Sequence, residues 1–411
     1  MGRKPGVGST SISVPETALQ PRAQAAFELT ADQRQIGELA AEIAAREIAP
    51  HIAQWDREHT FPRELYAKLN DAGILGIIVP EEYGGAGADY VAYALAVEEL
   101  AKVDAGTAVT VSVHSMICSA ILQLGTPEQK ARYLPKLANE NMLAAFALTE
   151  PDVGSDAARL RAKAEPTADG YVLNGRKQWC TNGGYSAVIM AMFRTGASTA
   201  LSTGSGGKGI SAFLVDNDRP GVAIEKTTEK LGIHTSNTCD VAFDDVHVPA
   251  SALLGAAGEG FGTAMTALHS GRIGIAAQAC GILSACLDAS VKFAKERVAF
   301  GKPIGAFEGV SFKIAQMATD LDAARLLTYR AAALCSQGRE FTAEASKAKL
   351  FASTAARRHA AEAIQIHGGY GYTTELPIER YYRDAKITEI YEGTSEIQQI
   401  IIARSLLGRL D

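Results

Sequence analysis

The chain has little to offer a metal or a disulfide framework. Its six cysteines (Cys118, Cys180, Cys239, Cys280, Cys286 and Cys335) form no C-x-x-C pair and no Cys/His cluster, and 411 residues are far too many for a disulfide scaffold. They read as reduced, structural thiols of a cytosol-like compartment, and no metal is expected. Blocks of like charge are missing too. Forty Lys and Arg against 46 Asp and Glu give a net charge of -6, which argues against wholesale binding to a nucleic-acid backbone. Continuous apolar runs are short: Ile74 to Pro80 is strand-sized, against the ~18 to 20 residues of a bilayer crossing, so no membrane span is expected. Residues 1-25 are rich in Gly, Ser, Pro and Thr, lack the apolar stretch of a secretory signal and read as a disordered leader. A mitochondrial transit peptide would want more arginine than Arg3 and Arg22 supply, so a cytoplasmic protein is expected, with the mitochondrial matrix as the alternative.

What is present is an ordinary globular balance, 47% hydrophobic and 21% charged, in a chain worth two to three domains at roughly 150 residues each. Helical spacing begins at Thr30, which can make a capping box with Gln33 ahead of Ile36, Leu39 and Ile43. Thr60 is expected to cap a second helix with Pro62 in its first turn and Gly73 closing it. Tyr90 to Ala101, and the segment opening Thr126-Pro127-Glu128-Gln129, repeat that grammar. Near Phe146 the period changes to two. Asn174-Gly175 between Tyr171-Val172-Leu173 and Lys177-Gln178-Trp179 reads as a hairpin. Further strands are expected at Ala187 to Phe193, Ile210 to Val215, Gly221 to Glu225 and Cys239 to Val248, with Thr195 to Gly209 as a mobile loop. After Gly262 the helical period returns in long, small-residue-rich helices. The fold class is therefore α+β: a helical domain at 26-145, a β-barrel or sandwich domain, expected to be antiparallel, at 146-255, and a four-helix bundle at 256-411.

Four segments could carry chemistry. A long helix ending at Ile366 runs into His367-Gly368-Gly369-Tyr370-Gly371-Tyr372, whose glycines either form a helix C-cap or let backbone N-H groups approach an anion. It follows a helix rather than a strand, so it is no dinucleotide-binding turn of the Rossmann kind. Glu392-Gly393-Thr394 leads into a helix whose start can be capped by Ser395 with Gln398. Free amides there can bind a phosphate, and Glu392 beside a flexible glycine can reach a substrate C-H. Thr149 to Asp156 is by composition a polar loop. Trp179 and Thr181, two apart on a strand, share a face and suit a stacked flavin or nucleotide ring, although a core Trp beside a surface Thr is the commoner reading of such a pair.

The order of these segments resembles the acyl-CoA dehydrogenases along about residues 27 to 410. The carrying motifs are Phe146-Ala147-Leu148-Thr149-Glu150-Pro151 with Gly154-Ser155-Asp156, Trp179-Cys180-Thr181-Asn182, Gly271-Arg272-Ile273-Gly274, Arg297-Val298-Ala299-Phe300-Gly301, Gln365 to Tyr372, and Ile390 to Gln398. In character they are similar to the short-chain and short-branched-chain members. The resemblance implies FAD, with its flavin lined by Phe146, Leu148, Thr149, Gly154, Ser155, Trp179 and Thr181, of which Thr149 and Thr181 would hydrogen-bond the ring. It implies that Arg297, Phe300, Gln365, Ile366, Gly368 and Gly369 reach the adenosine and pyrophosphate of an FAD shared with a neighbouring subunit, in a homotetramer built as a dimer of dimers. Thr394 and Glu396 fall to FAD by the same analogy.

The implied reaction removes an α-proton from a short acyl-CoA and passes the β-hydrogen as hydride to the flavin, giving the trans-2-enoyl-CoA, with an electron-transfer flavoprotein as the electron acceptor. Glu392 matches the family's base; Ser155, His269, Arg272 and Gly393 fall among the substrate contacts. Some members carry the base immediately before the Arg that Arg272 matches, but Gly271 stands there. His269 stands where many relatives have an acid, and a lone His at a helix start is more often structural than catalytic. Glu308 stands where short-chain relatives often have Gln; an acid beside a pyrophosphate is unfavourable, so it is not counted as a ligand. The acyl pocket is expected around Val113, Ile117 and Ile121. Two rival readings are a nucleic-acid-binding flavoprotein on the same fold and an oxidase that hands electrons to oxygen.

Overall fold

A computed structural model describes residues 28-195 and 207-408. The leader and residues 196-206 of the expected mobile loop lie outside them. Six helices come first: α1 (Ala31–Ile43, continued by a π-helical turn, Ala44–Ile48), α2 (Ile52–Glu58), α3 (Arg63–Asp71), α4 (Tyr90–Val103), α5 (Ala105–Leu124) and α6 (Pro127–Asn139). The boxes at Thr30/Gln33 and Thr126/Gln129 form as expected. Thr60 does not cap α3. Pro62 takes the N-cap position and no side chain bonds there, because proline's fixed φ already sets the chain's entry.

Eight strands follow: β1 (Leu143–Ala147), β2 (Lys163–Pro166), β3 (Gly170–Thr181), β4 (Ser186–Arg194), β5 (Ile210–Asp216), β6 (Val222–Thr227), β7 (Thr238–Pro249) and β8 (Leu253–Leu254). They form one sheet in the order β6-β7-β3-β2-β4-β5-β8, with β1 added alongside β4. β1 and β4 run parallel, as does the single bridge that joins β2 to β4, so the domain is mixed rather than antiparallel throughout. The sheet folds over its own core. Phe193 of β4 meets Phe243 of β7 edge-on at 5.1 Å although the strands are not neighbours.

The Asn174-Gly175 hairpin is not made. Both residues lie inside β3, where Gly175 (φ +144°) accommodates a register shift against β7. A side chain at position 175 would press on Ala162, so the glycine serves a bulge and a close approach, not a turn. A second bulge falls between Lys177 and Cys180, with Trp179 at φ +56°. Simple alternation therefore fails at Trp179. That residue and Thr181 nevertheless both stand clear of the buried row made by Lys177 and Cys180.

The last third is helical: α7 (Gly260–Glu296), a small hairpin of β9 (Val298–Ala299) and β10 (Lys302–Pro303), α8 (Glu308–Ser336), α9 (Thr342–His367), α10 (Ile378–Ile387) and α11 (Ser395–Leu407). α7 is about 55 Å long at 1.5 Å per residue and packs on α4, α5, α8 and α9. Contrary to the sequence-based expectation, α5 and α7 are both long and apolar enough to cross a bilayer, yet 94% and 83% of their apolar stretches are buried inside the protein. They are core helices. Serine and threonine break their apolar runs without adding charge, and Thr110 satisfies its hydroxyl on the Gly106 carbonyl one turn back.

Candidate active site

Glu392 sits in the turn between α10 and α11 with φ +52°, followed by Gly393 at +91°. A left-handed non-glycine residue costs about 1 kcal/mol or more and persists only where its surroundings hold it. Here Gln398 Nε2 donates to the carbonyls of Gly393 (2.8 Å) and Glu392 (3.4 Å), and Lys349 Nζ donates to that of Gly393. Gln398 is thus spent on the turn. The cap of α11 comes instead from Thr394, whose hydroxyl accepts Ile397 N-H, and the Ser395/Gln398 box is not made.

The turn delivers the Glu392 carboxylate against the middle of α7. A Cβ on Gly271 would lie 2.1 Å from Glu392 Oε2 and 2.8 Å from Met116 Sδ. A side chain at position 271 would displace the Glu392 carboxylate from this position, and here the glycine clears the space. One turn along α7, a Cβ on Gly274 would strike the hydroxyls of Ser112 and Tyr93. The face of α5 turned to the site is therefore Ser112 and Met116. The expected stripe of Val113, Ile117 and Ile121 is one residue, or about 100°, further round the helix.

Both carboxylate oxygens of Glu392 are buried without a hydrogen-bond partner, as are Nε and Nη1 of Arg272. Burial pushes the Glu392 carboxyl up to about 7, against the pull of Lys349 and Arg272. Loss of solvation lowers both cations in turn, Lys349 to about 8 and Arg272 to about 10. The other groups facing the acid are the phenols of Tyr93 and Tyr391. Tyr391 donates to Gln278, which donates to the Ala105 carbonyl and ties the turn to α7 and α5. A carboxylate that titrates near neutrality and accepts no hydrogen bond is suited to take a proton from carbon.

The remaining expected residues fall into two further groups. Arg297, Ile366, Gly368 and Gly369 line a cavity of about 600 Å³ with Phe293 and Tyr370, and the Arg297 guanidinium lies 5.9 Å from the Tyr370 ring centre. Gln365 is exposed at the end of α9, and Phe300 projects from the β9-β10 hairpin 96% exposed. The third group follows β1. Phe146, Leu148 and Thr149 are half-buried, Gly154 and Ser155 are exposed, and the Thr149 carbonyl accepts Gln178 N-H one residue before Trp179. This loop hangs on a buried ion pair that composition did not reveal: Glu150 accepts Lys177 Nζ at 2.8 Å and the N-H groups of Arg161 (2.6 Å) and Ala162 (2.9 Å).

His269 is not at a helix start. It lies within α7, its Nδ1 is 3.0 Å from Thr342 Oγ1 at the head of α9, and burial followed by the nearby Arg272 lowers it to about 4. The ring is a neutral strut between two helices. Glu308 is exposed in the first turn of α8, where an acid suits the helix dipole. Among the described residues no group of acidic, His and Cys side chains could hold a metal. Lys349, Tyr93, Ser112 and Met116 were not legible in the sequence because each joins the site from a helix far away in the chain, whereas Gln398, expected in a cap of α11, braces the Glu392-Gly393 turn instead. Only Gly271 left a trace, as a glycine in mid-helix where alanine would be favoured by roughly 1 kcal/mol.

Three family models cover the described segments in order: the N-terminal domain of acyl-CoA dehydrogenases over residues 30–141, the middle domain over 145–246 and the C-terminal domain over 258–407. With the site, they define an oxidoreductase of the flavin class. The chain is 46% identical over 381 residues to the mitochondrial short-chain specific acyl-CoA dehydrogenase of Mus musculus, covering 92% of this chain and 91% of that one. It superposes with a TM-score of 0.89 on the butyryl-CoA dehydrogenase of Megasphaera elsdenii, at 43% identity over 93% of this chain and 99% of that one. A chain from a structural study of the electron transferring flavoprotein of Acidaminococcus fermentans matches with a TM-score of 0.90 and 44% identity, over 93% and 100%. This chain belongs to the acyl-CoA dehydrogenase family and is an FAD flavoprotein.

The residues present fit that cofactor. Gly154, Gly368 and Gly369 each have open space where a Cβ would stand, and the last two share a cavity with Arg297, a donor set suited to an anionic pyrophosphate. The exposed Trp179 ring, 57% accessible, offers a flat apolar surface to a planar ring system.

Proposed function

We propose that this enzyme desaturates a short straight-chain or short branched-chain acyl-CoA to the trans-2-enoyl-CoA, with Glu392 as the base. The observation that carries the reading is the Glu392 carboxylate itself, pressed against Gly271 and Met116 with neither oxygen bonded. Once an acyl chain fills the space beside Met116, Glu392 faces a C-H instead of water, and its raised proton affinity favours taking the α-proton. Bound FAD supplies the acceptor for the β-hydrogen, as hydride. The thioester oxygen gathers negative charge as the proton leaves, and pre-set donors in a dry site stabilise it. The unpartnered guanidinium edge of Arg272 adds positive potential on the same side, with Gly393, His269 and Ser155 along the CoA end.

Thr149 and Thr181 are assigned to the flavin ring, with Phe146, Leu148, Gly154, Ser155 and Trp179 lining it and Thr394 and Glu396 at its edge. Arg297, Phe300, Gln365, Ile366, Gly368 and Gly369 are assigned to the adenosine end of an FAD shared with a second copy. Side chains as exposed as Phe300 and Tyr372, 96% and 84%, suit a tetramer in which such surface is covered. The acceptor we assign is an electron-transfer flavoprotein, and the compartment the cytoplasm.

Anaerobic titration of the flavin absorbance with butyryl-, isobutyryl-, 2-methylbutyryl-, hexanoyl-, octanoyl- and glutaryl-CoA tests this, with acetyl-CoA as an unreactive control. Bleaching by the short chains is expected. A flavin that no acyl-CoA bleaches would refute the activity, and fast reoxidation of the product-bound enzyme by air would make it an oxidase.

A further inference from the structure

Lys349 has no exposed surface, and a buried ammonium is retained only where partners offset its lost hydration. Its Nζ lies 2.5 Å from the carbonyl oxygen of Gly393, the residue after Glu392. That oxygen already has a neutral donor, Gln398 Nε2 at 2.8 Å, so a cation is not needed to satisfy it. Glu392, Glu389 and Glu396 favour the charged lysine, and Arg272 opposes it. Arg272, by contrast, makes no hydrogen bond to the turn among the described residues. Lys349 is thus the cation that both grips the left-handed Glu392-Gly393 backbone and acts on the carboxylate. The groups facing that carboxylate are Lys349 from α9, Arg272 from α7, Tyr93 from α4 and Tyr391 beside it.

We propose that Lys349 is a positioning residue for the dehydrogenation. It locks the turn that aims Glu392 at the space beside Gly271, and its charge favours the ionised form of the carboxylate. The proposal rests on Glu392 being the base. Removing the charge would let burial act unopposed by one of two cations, so fewer Glu392 carboxylates would be ionised at pH 7. A lysine that merely fills space would leave the pH profile where it is.

The test uses the FAD-loaded enzyme and butyryl-CoA, with the flavin reduction rate followed anaerobically by stopped flow from about pH 5.5 to about pH 9. In Lys349→Gln, which keeps a donor but loses the charge, the acid-side midpoint should rise by about one pH unit and the rate at pH 7 fall roughly fivefold. Lys349→Met should show the same shift with a further loss at every pH, and Lys349→Arg should bring the midpoint back. An unmoved midpoint in FAD-loaded Lys349→Gln and Lys349→Met overturns the proposal. So does failure of both to take up FAD while Lys349→Arg does, which would make the lysine structural. Glu392→Gln separates the two levels: if it still reduces the flavin, the base assignment is wrong, whereas an inert Glu392→Gln with unshifted Lys349 variants refutes the lysine alone.

Discussion

Two buried acids in this enzyme have opposite surroundings. Glu150, under the loop after β1, accepts two backbone N-H groups and the ammonium of Lys177. Glu392, against α7, accepts nothing, although Lys349 and Arg272 stand close enough to act on its charge. Hydrogen bonds to the ionised form hold a carboxylate as a fixed anion, whereas burial without them favours the neutral acid. The first arrangement makes a peg for the loop that carries Thr149. The second leaves a carboxylate whose lone pairs are free for a proton, as the proposed base requires. A sequence shows two glutamates; the donors within reach divide them into scaffold and chemistry.

The sharpest way to break this comparison is to make the acids alike by removing charge. Glu392→Gln should retain FAD and lower the rate of substrate-driven flavin reduction by about 10³- to 10⁴-fold, the upper range for a general base. Anaerobic stopped-flow absorbance measures it, and a rate within tenfold of the parent would return Glu392 to the status of an ordinary helix-flanking acid. At the other acid the loss should appear as stability. Lys177→Met leaves Glu150 buried with its amides but no cation, and breaking a buried pair on one side costs about 3 to 5 kcal/mol. Denaturant melts should show that loss with release of FAD. An unchanged midpoint would mean that two amides alone suffice.

The split between the acids also explains how much could be read in advance. The order of helices and strands was legible because Thr30, Thr126 and the change of period at Phe146 are local signals. So was Glu392, since Gly393 and Thr394 mark a turn into a helix. Asn174-Gly175 misled because the same dipeptide serves a turn or a bulge, and only the Ala162 backbone packed against Gly175 decides which. On α5 the face turned to Glu392 carries Ser112 and Met116, one residue and about 100° from the expected Val113, Ile117 and Ile121. Lys349 and Lys177 could not be found at all. Their partners lie 44 and 27 positions away, and nothing in a lysine's neighbours announces that it will be buried.

The smallest effect is also the most diagnostic, because it reads the unpartnered state of Glu392 through pH without any substrate. Burial raises the Glu392 carboxyl to about 7, against an ordinary value of 4.5. Between those values the folded protein holds a proton there that the unfolded chain has released. Stability linked to Glu392 is therefore fullest below pH 4.5 and declines as pH rises toward 7, by about 1 kcal/mol per pH unit. Glu392→Gln lacks this titration. Its stability relative to the parent should climb by that amount per unit from about pH 5 to about pH 7 and then level off, as followed by urea melts of the FAD-loaded forms. A gap that stays flat over this window would mean that the Glu392 carboxylate finds in solution the donors that Glu150 has, and the contrast between the two acids would dissolve.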